Sequence, residues 1–376
     1  MKKTAFAFLP LLLISFILPD TSQNCGLKNN PVMNTPYDGP YVLYKNDQVF
    51  IKTVFDDAGI KSIKVDSINL AEKAALSLTV ATDEPGKTFS VQLKNKLENE
   101  KSEYKKVSRQ LIMSDIEGNF GAFRKLLQAG GVIDTNFNWT FGEGHLVLIG
   151  DFFDRGDQVT EVLWLIYSLE EKAKAAGGYV HFVLGNHEIM NLSGDLRYVA
   201  PKYLQNAVLL NENYVGGLYG ENSEIGRWLR TKNIIEKLGH ILFLHGGISA
   251  GINSMDISLS KINELSRPYY PDTTYNYKDK RLNIIFGDDG PFWYRGYYQA
   301  ATIVSAGQID STLDKFEVKH IATGHTIVAD TISVWHKGKV FNTDVHHAKG
   351  HSEALLVEEG KYYRVNPNGQ KFLIKK

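Results

Sequence analysis

From residue 108 onward the chain alternates short apolar runs with longer helical patterns. The runs are "LIM", "LVLI", "VHFVL", "ILFL" and "HIAT", and the helical patterns include "NFGAFRKLLQAG" and "TEVLWLIYSLEEKAKAAGG". Runs this short, without apolar/polar alternation, read as strands buried on both faces, which places them in an α/β layered domain. Each of the first four ends in a polar cluster: "SDIEGN", "GDFFDRGD", "GNHE" and "HGG". Ligands of open α/β sheets bind beyond the carboxyl ends of strands, so the clusters are expected to converge.

The residue types point to divalent cations and phosphate. Asp151 follows a buried run, where a carboxylate with two oxygens can bridge two cations, and Asp154 and Arg155 come three and four residues later. The arginine is a planar fork suited to phosphate oxygens. Asn186 offers a neutral oxygen ligand and the adjacent His187 an imidazole that can donate a proton. His245 and His325 each follow a run and stand beside glycines that let a ligand come close. Taken singly, each cluster reads as a surface ion pair, a helix cap or a surface histidine. Five strand ends presenting such groups in series do not.

In this order D-x-E, GDxxDRG, GNHE, HGG and GH resemble the calcineurin-like metallophosphoesterases, and "GNHE" with "LHGGIS" resembles their phosphoprotein phosphatase branch. "MNLSGDLRYV", "RWLRTKNIIEKLG" and "GPFWYRGY" are similar to the Shewanella-like phosphatases within it. The resemblance covers about residues 108–360. It implies a sandwich of two mixed β-sheets flanked by helices and a hydrolase acting on phosphomonoesters of phosphoproteins, including phosphotyrosine, or of small molecules. By the same resemblance, Asp115, Glu117 and Asp151 would hold a first divalent ion, with Asp151 bridging to a second held by Asn186, His245 and His325. His187 would be the general acid, oriented by Asp154, while Arg155 and Arg295 would grip phosphoryl oxygens. Two such cations lower the pKa of a shared water enough to yield hydroxide near neutral pH. The alternatives are a dinucleoside polyphosphate or phosphodiester hydrolase, and a non-catalytic protein that docks a phosphorylated ligand.

Glu117 departs from the family, which usually has histidine there. In one reading its longer side chain reaches the same ion with an oxygen, and a first site of three carboxylates then favours manganese or magnesium over zinc, with iron also admissible. In the other, the first site has lapsed. His346, His347 and His351 in "TDVHHAKGH" read as a polar rim loop, with a further metal site as the alternative.

Ahead of this domain, residues 37–107 show apolar/polar alternation broken by turn signals and read as a small β-rich accessory unit, joined to residues 108–376 through the charged run "KLENEKSEYKK", read as a solvated connector. Residues 25–36 read as a linker. The first 24 residues have Lys2 and Lys3, an apolar run to Leu18 and a polar exit, the layout of an export signal. The expected location is therefore periplasmic or secreted, with membrane attachment only through an uncleaved signal or a lipid on Cys25. Cys25 is the single cysteine, so no internal disulfide supports the fold. Lys+Arg and Asp+Glu balance at 42 each, so no global field draws in nucleic acid, and the expected partner is a phosphorylated substrate.

Overall fold

The computed structural model describes residues 36–376 apart from 275, 300, 302 and 376. The export signal, Cys25 and nearly all of the linker lie outside the described residues. Among the described residues no helix is long and apolar enough to cross a membrane.

Two six-stranded mixed sheets form the centre. In the first, Arg109–Met113, His145–Ile149 and Tyr179–Val183 run parallel, with Ile112 opposite Val147 and Leu148 opposite Phe182. Ala354–Glu358, Lys361–Val365 and Lys371–Lys375 extend it as an antiparallel meander. In the second, Ile241–Leu244, His320–Thr323 and Val340–Asn342 run parallel, with Thr323 opposite Asn342. Ser333–Trp335, Ile235–Leu238 and Glu103–Tyr104 complete it.

The apolar runs lack alternation because both of their faces are covered. Ile112, Val147, Ile149 and Val183 pack with Phe243, Ala322 and Phe341 of the other sheet and form the layer between the sheets. Leu111, Met113, Leu146 and Leu148 face the opposite way and join a larger cluster with Val162, Leu165 and Ile166 of the helix Val159–Ala175. This is the sandwich of mixed sheets flanked by helices that the sequence resemblance implies.

The N-terminal β-rich unit is present. It comprises a three-stranded meander, Pro36–Lys45, Gln48–Asp57 and Ile60–Asn69, and the hairpin Ser77–Ala81 with Thr88–Gln92. Its apolar residues share one core with the sandwich: Val49, Val80, Phe89 and Val91 belong to the same cluster as Phe120 and Phe137. Buried Asp38 accepts hydrogen bonds from Tyr41 Oη, Thr160 Oγ1 and Asn206 Nδ2, and Trp164 Nε1 donates to the Pro40 carbonyl at 2.8 Å. The described residues accordingly belong to one compact unit. The charged run is more than a solvated connector. It supplies the edge strand Glu103–Tyr104, and its Glu100 takes an ion pair from the buried Lys232 at 2.7 Å.

Candidate metal centre

The polar clusters converge on a cleft of about 500 Å³ lined by Asp115, Glu117, Asp151, Arg155, Asn186, His187, Arg295, His325 and Asp344, with Tyr198, Trp293 and Ile327 among the other wall residues. Each strand delivers its group at its carboxyl end. The loops that carry them sit in the left-handed region: Asp115, Glu117, Asp151, Asp154, Arg155 and His325 all have φ between 49° and 70°. Left-handed non-glycine residues are uncommon and gather at functional sites, where the surroundings over-determine them.

The surroundings here are a ladder between two loops. Asp115 N, Glu117 N and Gly118 N donate to the carbonyls of Gly150, Asp151 and Phe152, and Gly156 N returns a bond to the Glu117 carbonyl. Glu188, fully buried, accepts from the backbone of Asp151, Phe152 and Gly185 at 2.7 to 2.9 Å, so the acidic end of "GNHE" holds the main chain at Asp151 in place.

Ligating atoms gather in two groups that share Asp151. Asp151, His245 and His325 present donor atoms within 4.8 Å of one another, and so do Glu117, Asp151 and His187. His245 Nε2 lies 2.9 Å from Asp151 Oδ2 and 3.1 Å from Asn186 Oδ1. Its Nδ1 donates to the Ile149 carbonyl at 2.7 Å, which leaves Nε2 facing the cleft. His325 is turned similarly: its Nε2 donates to the Trp293 carbonyl at 3.1 Å, while its backbone N–H reaches Asp115 Oδ2 at 3.1 Å.

His187 stands apart in its contacts. Its Nδ1 is 2.7 Å from Asp154 Oδ2, and its Nε2 lies 3.6 Å from Asp151 Oδ2. Asp154 is held in turn by Asn191 Nδ2 at 2.8 Å, and Tyr214 Oη donates to Asn191 Oδ1. Arg155 forms an ion pair with Glu117, and its guanidinium lies 5.5 Å from the centroid of the Tyr198 ring. Arg295 lines the cleft wall, with Nη1 donating to the His325 carbonyl at 2.7 Å and to Thr326 Oγ1 at 3.2 Å. Of the "GPFWYRGYY" aromatics, Trp293 and Tyr298 reach the wall, while Tyr294 and Tyr297 pack in the loop against Gly247. None of His346, His347 and His351 lines the cleft, and His346 pairs with Asp330 at 2.8 Å.

The electrostatics are those of a crowded acidic pocket. Burial, opposed by His245 and reinforced by Asp151 and Glu117, pushes the Asp115 carboxyl up to about 7. Burial would raise Asp151 too, but the imidazoles of His187 and His245 hold it well below the usual carboxylate range. Burial likewise raises Glu117, partly offset by Arg155. Against the pull of burial, Asp151 and its neighbours lift His187 to about 9 and His245 to about 10. His325 is pushed well below the ordinary imidazole value by burial, His245 and Arg295. Buried carboxylates beside oriented imidazoles are a donor set that fits divalent cations, which would neutralise the acidic charge.

Several contributors carried no signal that sequence reasoning used. Asn191 and Tyr214 act through Asp154, and Tyr198 enters from the loop after the helix Asn186–Ser193. Asp344 follows a strand in the manner of the other candidate residues, but the run "VFN" before it is only three residues long and gives a weak strand signal.

Comparison with known proteins agrees with this geometry. Residues 108–329 match the family model for calcineurin-like phosphoesterases. The chain is 24% identical to Shewanella-like protein phosphatase 2 of Arabidopsis thaliana over 67% of its own length and 74% of the relative's. It is 29% identical to Shewanella-like protein phosphatase 1 of Plasmodium berghei, covering 57% of this chain and 60% of that one. Among solved structures, the cold-active protein-tyrosine phosphatase of a psychrophilic Shewanella species superposes with a TM-score of 0.80 at 36% identity, covering 90% of this chain and 99% of that one.

Proposed function

The chain belongs to the calcineurin-like phosphoesterase family and is a metallophosphatase, and we propose that it hydrolyses phosphomonoesters of phosphoproteins, phosphotyrosine foremost, at a pair of divalent ions. The single observation that carries this reading is the position of Asp151, shared by both groups of converging donor atoms. In the proposed arrangement Asp115, Glu117 and Asp151 hold one ion and Asp151, Asn186, His245 and His325 the other. Two bound ions would supply Lewis acidity at the phosphoryl oxygens and a water of lowered pKa. The oxygen-rich first position favours manganese or magnesium over zinc.

The side chains account for the rest. Water adds to phosphorus in line as the ester P–O bond breaks, and the departing oxygen needs a proton. His187 is the donor in this reading: Asp154 holds Nδ1, so Nε2 is the atom left for the leaving group. Arg155 and Arg295 stand at the wall as clamps for the equatorial oxygens, work that is chiefly electrostatic. Arg155, paired here with Glu117, would be released to phosphate if Glu117 held an ion. Aromatic walls at Tyr198 and Trp293 support a flat leaving group such as the tyrosyl ring, as does the likeness to a protein-tyrosine phosphatase. The export layout of residues 1–24 supports action outside the cytoplasm.

A substrate panel tests this. Phosphotyrosine peptides and p-nitrophenyl phosphate are expected to turn over with Mn²⁺, phosphoserine peptides more slowly, and bis(p-nitrophenyl) phosphate scarcely at all. Preference for the diester or for dinucleoside polyphosphates would overturn the reading.

A further inference from the structure

Asp344 is buried at 4% exposure and lines the cleft with Asp115, Glu117 and Asp151, yet no role has been derived for it above. Its surroundings show that its main chain is anchored and its side chain is free to serve the cleft. The Asp344 N–H donates to Asn342 Oδ1 at 2.9 Å, and Asn342 Nδ2 donates to the Thr326 carbonyl at 2.7 Å. The preceding residue, Thr343, joins three strand ends. Its N–H and Oγ1 both donate to the Thr323 carbonyl, at 2.8 and 2.9 Å, and its Oγ1 lies 2.9 Å from Ser114 Oγ. The ends that carry Asp115, His325 and Asp344 are thereby fixed to one another across the two sheets. The Asp344 carboxylate itself accepts no hydrogen bond from the described residues. A largely buried carboxylate that opens on a cleft lined by three other acidic side chains is a group that a cation would stabilise.

We propose that Asp344 is a fourth carboxylate ligand of the first metal position, the one that Asp115, Glu117 and Asp151 face. The proposal rests on the metallophosphatase reading of the cleft. It also accounts for the glutamate at 117, because four carboxylates give a formal charge of four minus, which two divalent cations balance. Asp154 is no part of that sum, since its carboxylate holds His187 Nδ1 at 2.7 Å and does not line the cleft. An imidazole at 117 would leave the same two ions with a positive excess. An all-oxygen first position selects a hard ion and discriminates against zinc more strongly than three carboxylates would.

The experiment uses the full chain stripped of metal, as wild type and as Asp344→Asn, with Mn²⁺ titrated by calorimetry and bound metal counted by elemental analysis after dialysis. The wild type is expected to take two ions. The variant is expected to keep one at wild-type affinity and to bind the other at least tenfold more weakly, and Asp344→Glu to recover part of the loss. Circular dichroism and unfolding in chelator report whether each variant is folded; both should match the wild type, since the hydrogen bonds at this position are made by its main chain. Two ions bound by Asp344→Asn at wild-type affinities would overturn the assignment of Asp344 alone. A wild type that binds fewer than two ions would overturn the two-ion reading, and this proposal with it.

Discussion

His187 Nδ1 lies 2.7 Å from a carboxylate oxygen of Asp154, and both side chains are buried. Asn191 and Tyr214 stand behind Asp154, so the imidazole is held from one side while its Nε2 faces the shared carboxylate of Asp151. The pair is the part of the site whose behaviour is most directly measurable. Asp154→Asn keeps the shape and removes the charge that sustains the imidazolium. We expect kcat on phosphoserine peptides to fall about 10- to 100-fold, at or below the roughly 10²–10⁴-fold that a positioned general acid contributes, because His187 itself remains. The fall on p-nitrophenyl phosphate should be smaller, because its leaving group departs with little protonation. Equal losses on both substrates would remove His187 from the role of acid.

The same carboxylates set a pH dependence for the metal-free protein. His187 and His245 are lifted to about 9 and about 10 when folded, whereas an unfolded imidazole titrates near 6.5. Between those values the folded chain retains protons that the unfolded chain has released, so stability falls as pH rises. The contribution is complete below about pH 6.5 and lost as pH passes through 9 to 10. Urea unfolding of the chelated protein at pH 6, 8 and 10 measures it, and His187→Gln should flatten the slope between 7 and 9.

Gly185 sits where a Cβ would overlap Asp151 Oδ1 and lie 2.7 Å from the Asp151 amide nitrogen. Gly185→Ala is therefore expected to push the Asp151 carboxylate aside. Metal content after dialysis should drop by more than about half of the wild-type complement, with activity lost. The folding penalty should stay in the range of about 1–3 kcal/mol that overpacking costs. Full metal content in this variant would count against Asp151 as the shared ligand.

Tyr198 is 42% exposed at the cleft wall, with its ring 5.2 Å from that of His187 and the Arg155 guanidinium against its face. A contact between a leaving-group ring and this one is worth about 1 kcal/mol, or roughly fivefold. Tyr198→Ala should raise KM for phosphotyrosine peptides by about that factor while leaving phosphoserine peptides near wild type, and Tyr198→Phe should keep the preference. The ratio of the two substrates is the measurement, since a disturbed Arg155 would affect both alike.

Glu188 accepts four backbone N–H groups, those of Asp151, Phe152, Phe153 and Gly185, for which the described residues offer no other acceptor. Leaving them unpaired costs about 1–3 kcal/mol each. Glu188→Ala should lower the stability of the metal-free protein by at least about 3 kcal/mol in urea unfolding, more than any single ligand substitution.

What the sequence determined by itself was the class of the fold and the type of chemistry. Short apolar runs without alternation have to be buried on both faces, and the residues that end them then have to meet at one edge. For this reason Asp115, Asp151, Asn186, His187, His245 and His325 could be named as candidates, because each stands within three residues of the end of its run, while their roles came from the family resemblance. The tertiary structure decided what depends on contacts distant in the chain. Residues 36–107 share a core with the sandwich because Phe89 meets Phe120 and Phe137, and no local pattern records that meeting. Asp344 lines the cleft beside Asp115 because Thr343 ties its strand end to those of Asp115 and His325 across two sheets, a relation between residues more than 200 positions apart in the case of Ser114 and Thr343. Side-chain chemistry is written along the chain, whereas which carboxylate balances which charge is set only once the sheets have closed on each other.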